Sequence, residues 1–146
     1  MGPYMVDSSV KLNSETYSQF LNDNFFKWYQ KQSRKFKQNI IFMHDNAPAH
    51  ASHYTRAFLQ SKGISDNKIM NWPPQSPDLN PIENLWLIIK RRIYEGAKQY
   101  RSKADLWEAI KNVCATLTPA EIKNLTATMD DRVFAVVEQN GDYIKM

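Results

Sequence analysis

The segment that limits the possible folds most is Ile40-Ile41-Phe42-Met43. Four apolar residues in a row, two of them β-branched, fit a strand buried on both faces, the situation of a parallel sheet. A helical stretch follows, marked by Tyr54, Ala57 and Phe58 and closed near Gly63, a residue suited to the left-handed position just past a helix end. A second short strand is expected from Lys68 to Asn71. Strand, helix and strand in that order make a βαβ unit with parallel strands. The expected class is α/β.

The flanking sequence is helical in pattern. Asn13-Ser14 reads as a helix start, with Tyr17, Phe20, Leu21, Phe25 and Trp28 on one face, after a short extended segment from Tyr4 to Val6. Beyond the proline-rich loop Trp72-Pro73-Pro74-Gln75-Ser76-Pro77-Asp78, Pro81 suits the first helical position, and Ile82, Leu85, Trp86, Ile89 and Ile93 form an apolar stripe. Ser102 with Asp105 opens a further helix carrying Leu106, Ala109, Ile110 and Val113. Thr118-Pro119-Ala120-Glu121 opens another, and a last one holds Val133, Val136 and Val137 and ends near Gly141. Helices therefore crowd the C-terminal part of one expected domain over 1–146.

Composition narrows the function classes. No apolar run approaches the roughly 18 residues of a membrane span, and Met1-Gly2-Pro3-Tyr4 has no signal-peptide pattern. The single cysteine, Cys114, leaves no intramolecular disulfide or cysteine zinc cluster and reads as core filler, so an intracellular protein is expected. The net charge of +4 leans mildly toward polyanionic partners. Its distribution says more: Lys27, Lys31, Arg34, Lys35 and Lys37 run without an acidic residue, and Lys90-Arg91-Arg92 forms a second cluster. Lys31, Arg34, Lys35, Lys90, Arg91 and Arg92 are the candidate DNA contacts, against the plain alternative of a solvated face.

Two carboxylates stand where chemistry could occur. Asp45 follows the apolar strand at its carboxyl end, where open α/β sheets bind ligands. Asp45-Asn46-Ala47-Pro48 is equally good turn chemistry, so both readings stay open. Glu83 falls in the first turn of the helix beginning at Pro81, where the macrodipole alone favours an acid by about 0.3–1 kcal/mol. If the proline-rich loop aims that helix start at the strand ends, Asp45 and Glu83 share one pocket. Two carboxylates in one pocket repel unless a cation bridges them, and hard oxygen donors select Mg²⁺ or Mn²⁺.

His44-Asp45-Asn46-Ala47-Pro48-Ala49-His50 and the long block from Trp72 to Trp86 together resemble the two signature blocks of Tc/mariner transposases. The resemblance implies a ribonuclease-H-like fold and a triad of Asp, Asp and Glu or Asp that uses two divalent metals to cut and join DNA. On it, Asp45 is the second triad member and Glu83 the third, 38 positions apart and slightly wider than the commonest family spacing, with the extra residues in the loop from Gly63 to Lys68. The first aspartate belongs on the first strand of the sheet, which this sequence does not include. The expectation is thus an N-terminally truncated catalytic domain that starts at the third strand, binds Mg²⁺ or Mn²⁺ weakly or not at all, and is inactive alone. The open edge of the Ile40–Met43 strand would favour self-association. DNA is the implied partner and the nucleus the implied location.

Two other readings compete: a domesticated DNA-binding or protein-interaction domain, and an active nuclease that takes its first carboxylate from Asp7 or another chain. Asp7 itself falls at a position variable in the family. His44, His50 and His53 lie close together, but nothing completes a zinc site; His50 reads foremost as a helix-capping or surface residue, with orientation of Asp45 or of a DNA phosphate as the alternative. Trp28, Trp86 and Trp107 fit helix core stripes, whereas Trp72 stands at the loop entrance as a candidate for functional contact.

Overall fold

The computed structural model describes residues 3–7 and 9–144, so Met1 and Gly2 of the opening segment lie outside the described residues. Its described residues divide into two compact units, one within 6–74 and one over 75–144 joined by residues 3–5.

In the first unit, helix α1 (Ser14–Phe20) starts as its sequence dictates. Asn13 is the N-cap, accepting from the Thr16 amide, while the Thr16 hydroxyl accepts from the Asn13 amide. The helix then passes through a π-helical segment, Leu21–Phe26, into a last turn, Lys27–Tyr29. There the Asn24 side-chain amide donates to the Phe20 carbonyl at 2.9 Å, in the ladder that a straight helix would keep for itself. The inserted residue rotates everything after it by about 100°. Phe26 and Tyr29 therefore become the buried pair, and Phe25 and Trp28, expected in that role, only border the core.

A short helix α2 (Arg34–Asn39), capped by Ser33, leads to the apolar run. Here the α/β expectation is met only by a trace of parallel pairing. Among the described residues the two expected strands reduce to one parallel bridge between Phe42 and Ile69, with the Phe42 amide donating to Lys68 O at 2.7 Å and the Met70 amide to Phe42 O at 2.8 Å. The direction is that of a βαβ unit, but the run is not buried on both faces. Phe42 points into the core, whereas Ile41 is 53% exposed and Met43 also faces solvent, because no second bridge covers that side among the described residues. Tyr4 to Val6 likewise forms no strand.

Helix α3 (His53–Ser61) lies between the two bridging segments and packs on α1. Its termination is complete: the Gly63 amide donates to Gln60 O, the Ile64 amide to Leu59 O, and Gly63 takes φ +86°. That is the Schellman arrangement, and its usual apolar contact is present as Leu59 and Ile64, both fully buried. The inward face is one residue away from the expected one. Thr55 occupies it while Tyr54 and Ala57 are exposed. A buried hydroxyl is tolerated here because it donates to Ala49 O at 2.7 Å.

The second unit is built from α4 (Pro81–Ile93), α5 (Lys103–Ala115), α6 (Pro119–Ala127) and α7 (Met129–Glu138). α4 packs on α5 and α6, and α6 on α7. Asn80 caps α4 with Pro81 at its first position, Ser102 accepts from the Asp105 amide, and Thr118 with Glu121 forms a full capping box behind Pro119. The apolar stripes are less fully buried than the sequence suggests. Ile89 and Ile93 are buried, but Trp86, Val133 and Val137 are exposed, and the inward residue of α7 is Arg132. Its guanidinium donates to the Asp78 carbonyl at 2.8 Å and to the Thr128 hydroxyl at 3.0 Å. The Asp78 carboxylate, also buried, accepts from the Ile144 and Leu79 amides. Polar clamps thus do in this unit what an apolar core does in the first.

Arg92 at the end of α4 pairs with Glu121 at the start of α6. The Thr118 amide first, then Arg92 and the Thr118 hydroxyl, hold the Glu121 carboxyl down to about 2 from the usual 4.5. A depressed carboxyl stabilises the fold above its unfolded value and loses that contribution as pH falls. Thermal unfolding at pH 5 and pH 3 should therefore show a larger drop for the native chain than for Glu121→Gln.

Candidate functional site

Asp45 stands two residues beyond the last of the apolar run, on exposed backbone leading to the turn before α3. The turn reading of it is visible in the contacts. Its Oδ1 accepts from the Ala47 amide at 3.0 Å, which is turn chemistry, and also contacts His50 Nδ1 at 2.5 Å. The side chain is still 59% exposed. Burial by itself would raise its pKa, but the Ala47 amide, the His50 contact and the nearby charge of His50 and His44 outweigh it, and the net shift is downward. The group is a carboxylate at neutral pH. An ionised carboxylate only accepts, so His50 Nδ1 carries the proton between them.

The surroundings of Asp45 are aromatic. The Tyr17 ring lies 4.0 Å from the His50 ring, centroid to centroid, and His44 and His50 stack 5.5 Å apart with planes 7° from parallel. The Tyr17 hydroxyl reaches His44 Nδ1 at 3.4 Å. Burial, and then the Asp45 charge, pushes the phenol up to about 12, while burial and neighbouring cations lower His44. The expectation that His50 caps a helix or sits at the surface is corrected: Ser52 caps α3, and the His50 side chain is only 18% exposed. His53 is exposed in the first turn of α3. Beside this cluster a cleft of about 220 Å³ is lined by His44, Asn46, His50, Arg56, Asp66 and Trp72, among others. Trp72 enters the arrangement through its backbone, its carbonyl accepting from the Asn46 side-chain amide at 2.8 Å.

Glu83 sits where the sequence puts it, at the third position of α4, half-buried. Asp7 is fully exposed and spends one oxygen on the amide and hydroxyl of Ser9. Among the described residues no group of three or more His, Cys, Asp or Glu side chains is arranged to hold a metal ion.

The basic residues divide by physical role. Lys90, Arg91 and Arg92 occupy the last turn of α4, where the helix dipole favours cations, and Arg92 is engaged by Glu121. Lys31, Arg34 and Lys35 are exposed, and Arg34 and Lys35 stand in the first turn of α2, where the dipole disfavours them. Helix stability does not account for that placement. Arg34 also lines a cleft of about 350 Å³ with Lys37, Lys62 and Lys68 over Phe26 and Tyr29, and no acidic side chain lines it. Lys62 and Lys68 lie far from the basic run in sequence, and nothing local marks them.

A family model described as DDE superfamily endonuclease matches residues 7–107. The chain belongs to that family. Within it, the chain is a Tc/mariner-type transposase catalytic region: it is 35% identical over 136 residues to the Tc3 transposase of Caenorhabditis elegans, covering 93% of this chain and 40% of that protein. To the Tc1 transposase of the same organism it is 32% identical over 104 residues, covering 71% of this chain and 36% of that protein. It therefore spans less than half the length of these relatives. The fold is that of the Mos1 transposase catalytic domain. A structure of that domain with raltegravir and Mn matches at a TM-score of 0.81 and 20% identity, over 97% of this chain and 70% of the other. A second, with Mg, matches at 0.76 and 21%, over 94% and 67%. No described helix is long and apolar enough to cross a membrane.

Proposed function

We propose that this chain carries part of the metal-dependent DNA cleavage and joining centre of a Tc/mariner-type transposase, with Asp45 and Glu83 as its second and third acidic ligands. The observation that carries the reading is the state of Asp45: an ionised, exposed carboxylate at the end of the bridged segment, held by Ala47 and His50 through one oxygen only. Carboxylate oxygens suit Mg²⁺ or Mn²⁺, and the family resemblance and the Mos1 structures with Mn and Mg support the same ions. Bound there, a pair of such ions would activate water or a DNA 3′-hydroxyl and stabilise the leaving oxygen. The chain's own groups orient the carboxylates and keep Asp45 ionised.

The finer fold reading belongs here as well. The Phe42–Ile69 bridge and the Mos1 likeness support one α/β, ribonuclease-H-like catalytic domain, with the bridge as part of its parallel sheet. DNA is the partner, through phosphate contacts centred on the cleft that Arg34 lines with Lys37, Lys62 and Lys68, with lesser contributions from Lys31, Lys35, Lys90 and Arg91, and the site of action is the nucleus. Asp7, held by Ser9 in a local turn, is not assigned the role of the first ligand in this reading. With two carboxylates, Mn²⁺ binding should be on the order of millimolar or weaker. Mn²⁺ titration by electron paramagnetic resonance should show such binding, lost in Asp45→Asn and weakened in Glu83→Gln, with no strand cleavage of transposon-end DNA. Binding retained in both variants, or cleavage that depends on Asp7, would overturn the assignment.

A further inference from the structure

We infer that His50 is a positioning residue that delivers Asp45 to a metal ion as a one-oxygen ligand, and thereby favours Mg²⁺ or Mn²⁺ over Ca²⁺; the inference rests on the reading of Asp45 as a ligand. The argument is one of lone pairs. Oδ1 of Asp45 takes both the Ala47 amide, at 3.0 Å, and His50 Nδ1, at 2.5 Å. Two donors on Oδ1 leave Oδ2 as the oxygen with its lone pairs available to a cation, and the exposed side chain gives it access. A carboxylate held in this way is poor at chelating with both oxygens. Ca²⁺ commonly takes bidentate carboxylates in flexible coordination of six to eight oxygens, whereas Mg²⁺ demands an octahedron and uses one or two carboxylates among waters.

His50 can impose this because it is itself fixed. Tyr17 packs on one side of its ring and His44 stacks in parallel, while its backbone amide donates to Ala47 O at 2.8 Å. The same short turn thus supplies both donors to Oδ1. Groups that orient a metal ligand in this way matter about tenfold to a hundredfold in metal affinity.

The test uses the whole chain and two readouts. ¹⁵N chemical shifts should show His50 with its proton on Nδ1, a signature lost in Asp45→Ala. At a Mn²⁺ concentration that half-fills the native chain, His50→Ala should fall to about a tenth occupancy, the roughly tenfold loss expected of an outer partner. Its preference for Mn²⁺ over Ca²⁺ should narrow. His50→Asn, whose amide can donate from nearly the same place as Nδ1, should recover most of both. An Nε2–H tautomer in the native chain, an unchanged Mn²⁺ to Ca²⁺ ratio in His50→Ala, or an Asn variant no better than Ala would overturn the inference alone. Mn²⁺ binding indifferent to Asp45→Ala would instead overturn the reading of Asp45 on which it rests.

Discussion

Phe26→Ala should destabilise the first unit by roughly 3–5 kcal/mol, the usual cost of emptying a buried aromatic site. The side chain is 1% exposed and meets Phe25, Tyr29 and Phe58 edge to face, so little around it can collapse into the space. Its neighbour Phe25 also meets several aromatic rings but stands at the border of the core, stacked on Tyr29 and against Phe42. The comparison is the informative part. A straight helix from Ser14 would bury Phe25 and Trp28, and the π-helical segment buries Phe26 and Tyr29 instead. Urea unfolding of the four alanine variants should therefore rank Phe26 above Phe25 and Tyr29 above Trp28. The opposite ranking would mean that the helix runs straight in solution.

That shift in register marks the boundary of what local sequence can convey. Helix ends were legible because each is decided by a few adjacent residues: Asn13, Asn80, Ser102 and Thr118 accept from amides two or three positions on, Pro81 and Pro119 fit first positions, and Gly63 takes the left-handed conformation. What lies inward on a helix depends on partners outside the helix. Thr55 is buried because Ala49 O is there to accept its proton, and Arg132 because Asp78 O accepts from it across 54 positions. The apolar run Ile40–Met43 signalled a strand correctly in direction, yet a run buried on both faces needs neighbours that the described residues do not provide. At the site, the motif marked Asp45 and Glu83 and left orientation of Asp45 as the lesser reading of His50, and the contact between them required the turn geometry that folds His50 back onto Asp45. Tyr17, which fixes that ring, offered no signal beyond its place in a helical stripe.

The largest effect is expected for DNA binding, which should weaken roughly 150-fold between 50 and 200 mM salt. The estimate follows from the basic cleft. Arg34, Lys37, Lys62 and Lys68 gather around it with no acid in its lining, and neutralising about four phosphates gives a log–log slope near −3.6 on duplex DNA. Lys37 and Lys68 are braced there, their ammonium groups donating to Gln30 O and Lys37 O, while Lys62 rests over the Phe26 and Phe58 rings. Such preorganised cations lose less side-chain freedom on contact than free ones. The contacts are to phosphate, so affinity should not depend on sequence. Arg34→Ala combined with Lys62→Ala should cut the slope by about half, to near −1.8, because each lost phosphate contact removes about 0.9. Arg92→Ala supplies the contrast: its guanidinium is committed to Glu121, so it should lower the unfolding temperature and leave the salt slope unchanged. A slope reduced by Arg92→Ala and indifferent to the Arg34 and Lys62 changes would move the DNA surface from the cleft to the end of α4.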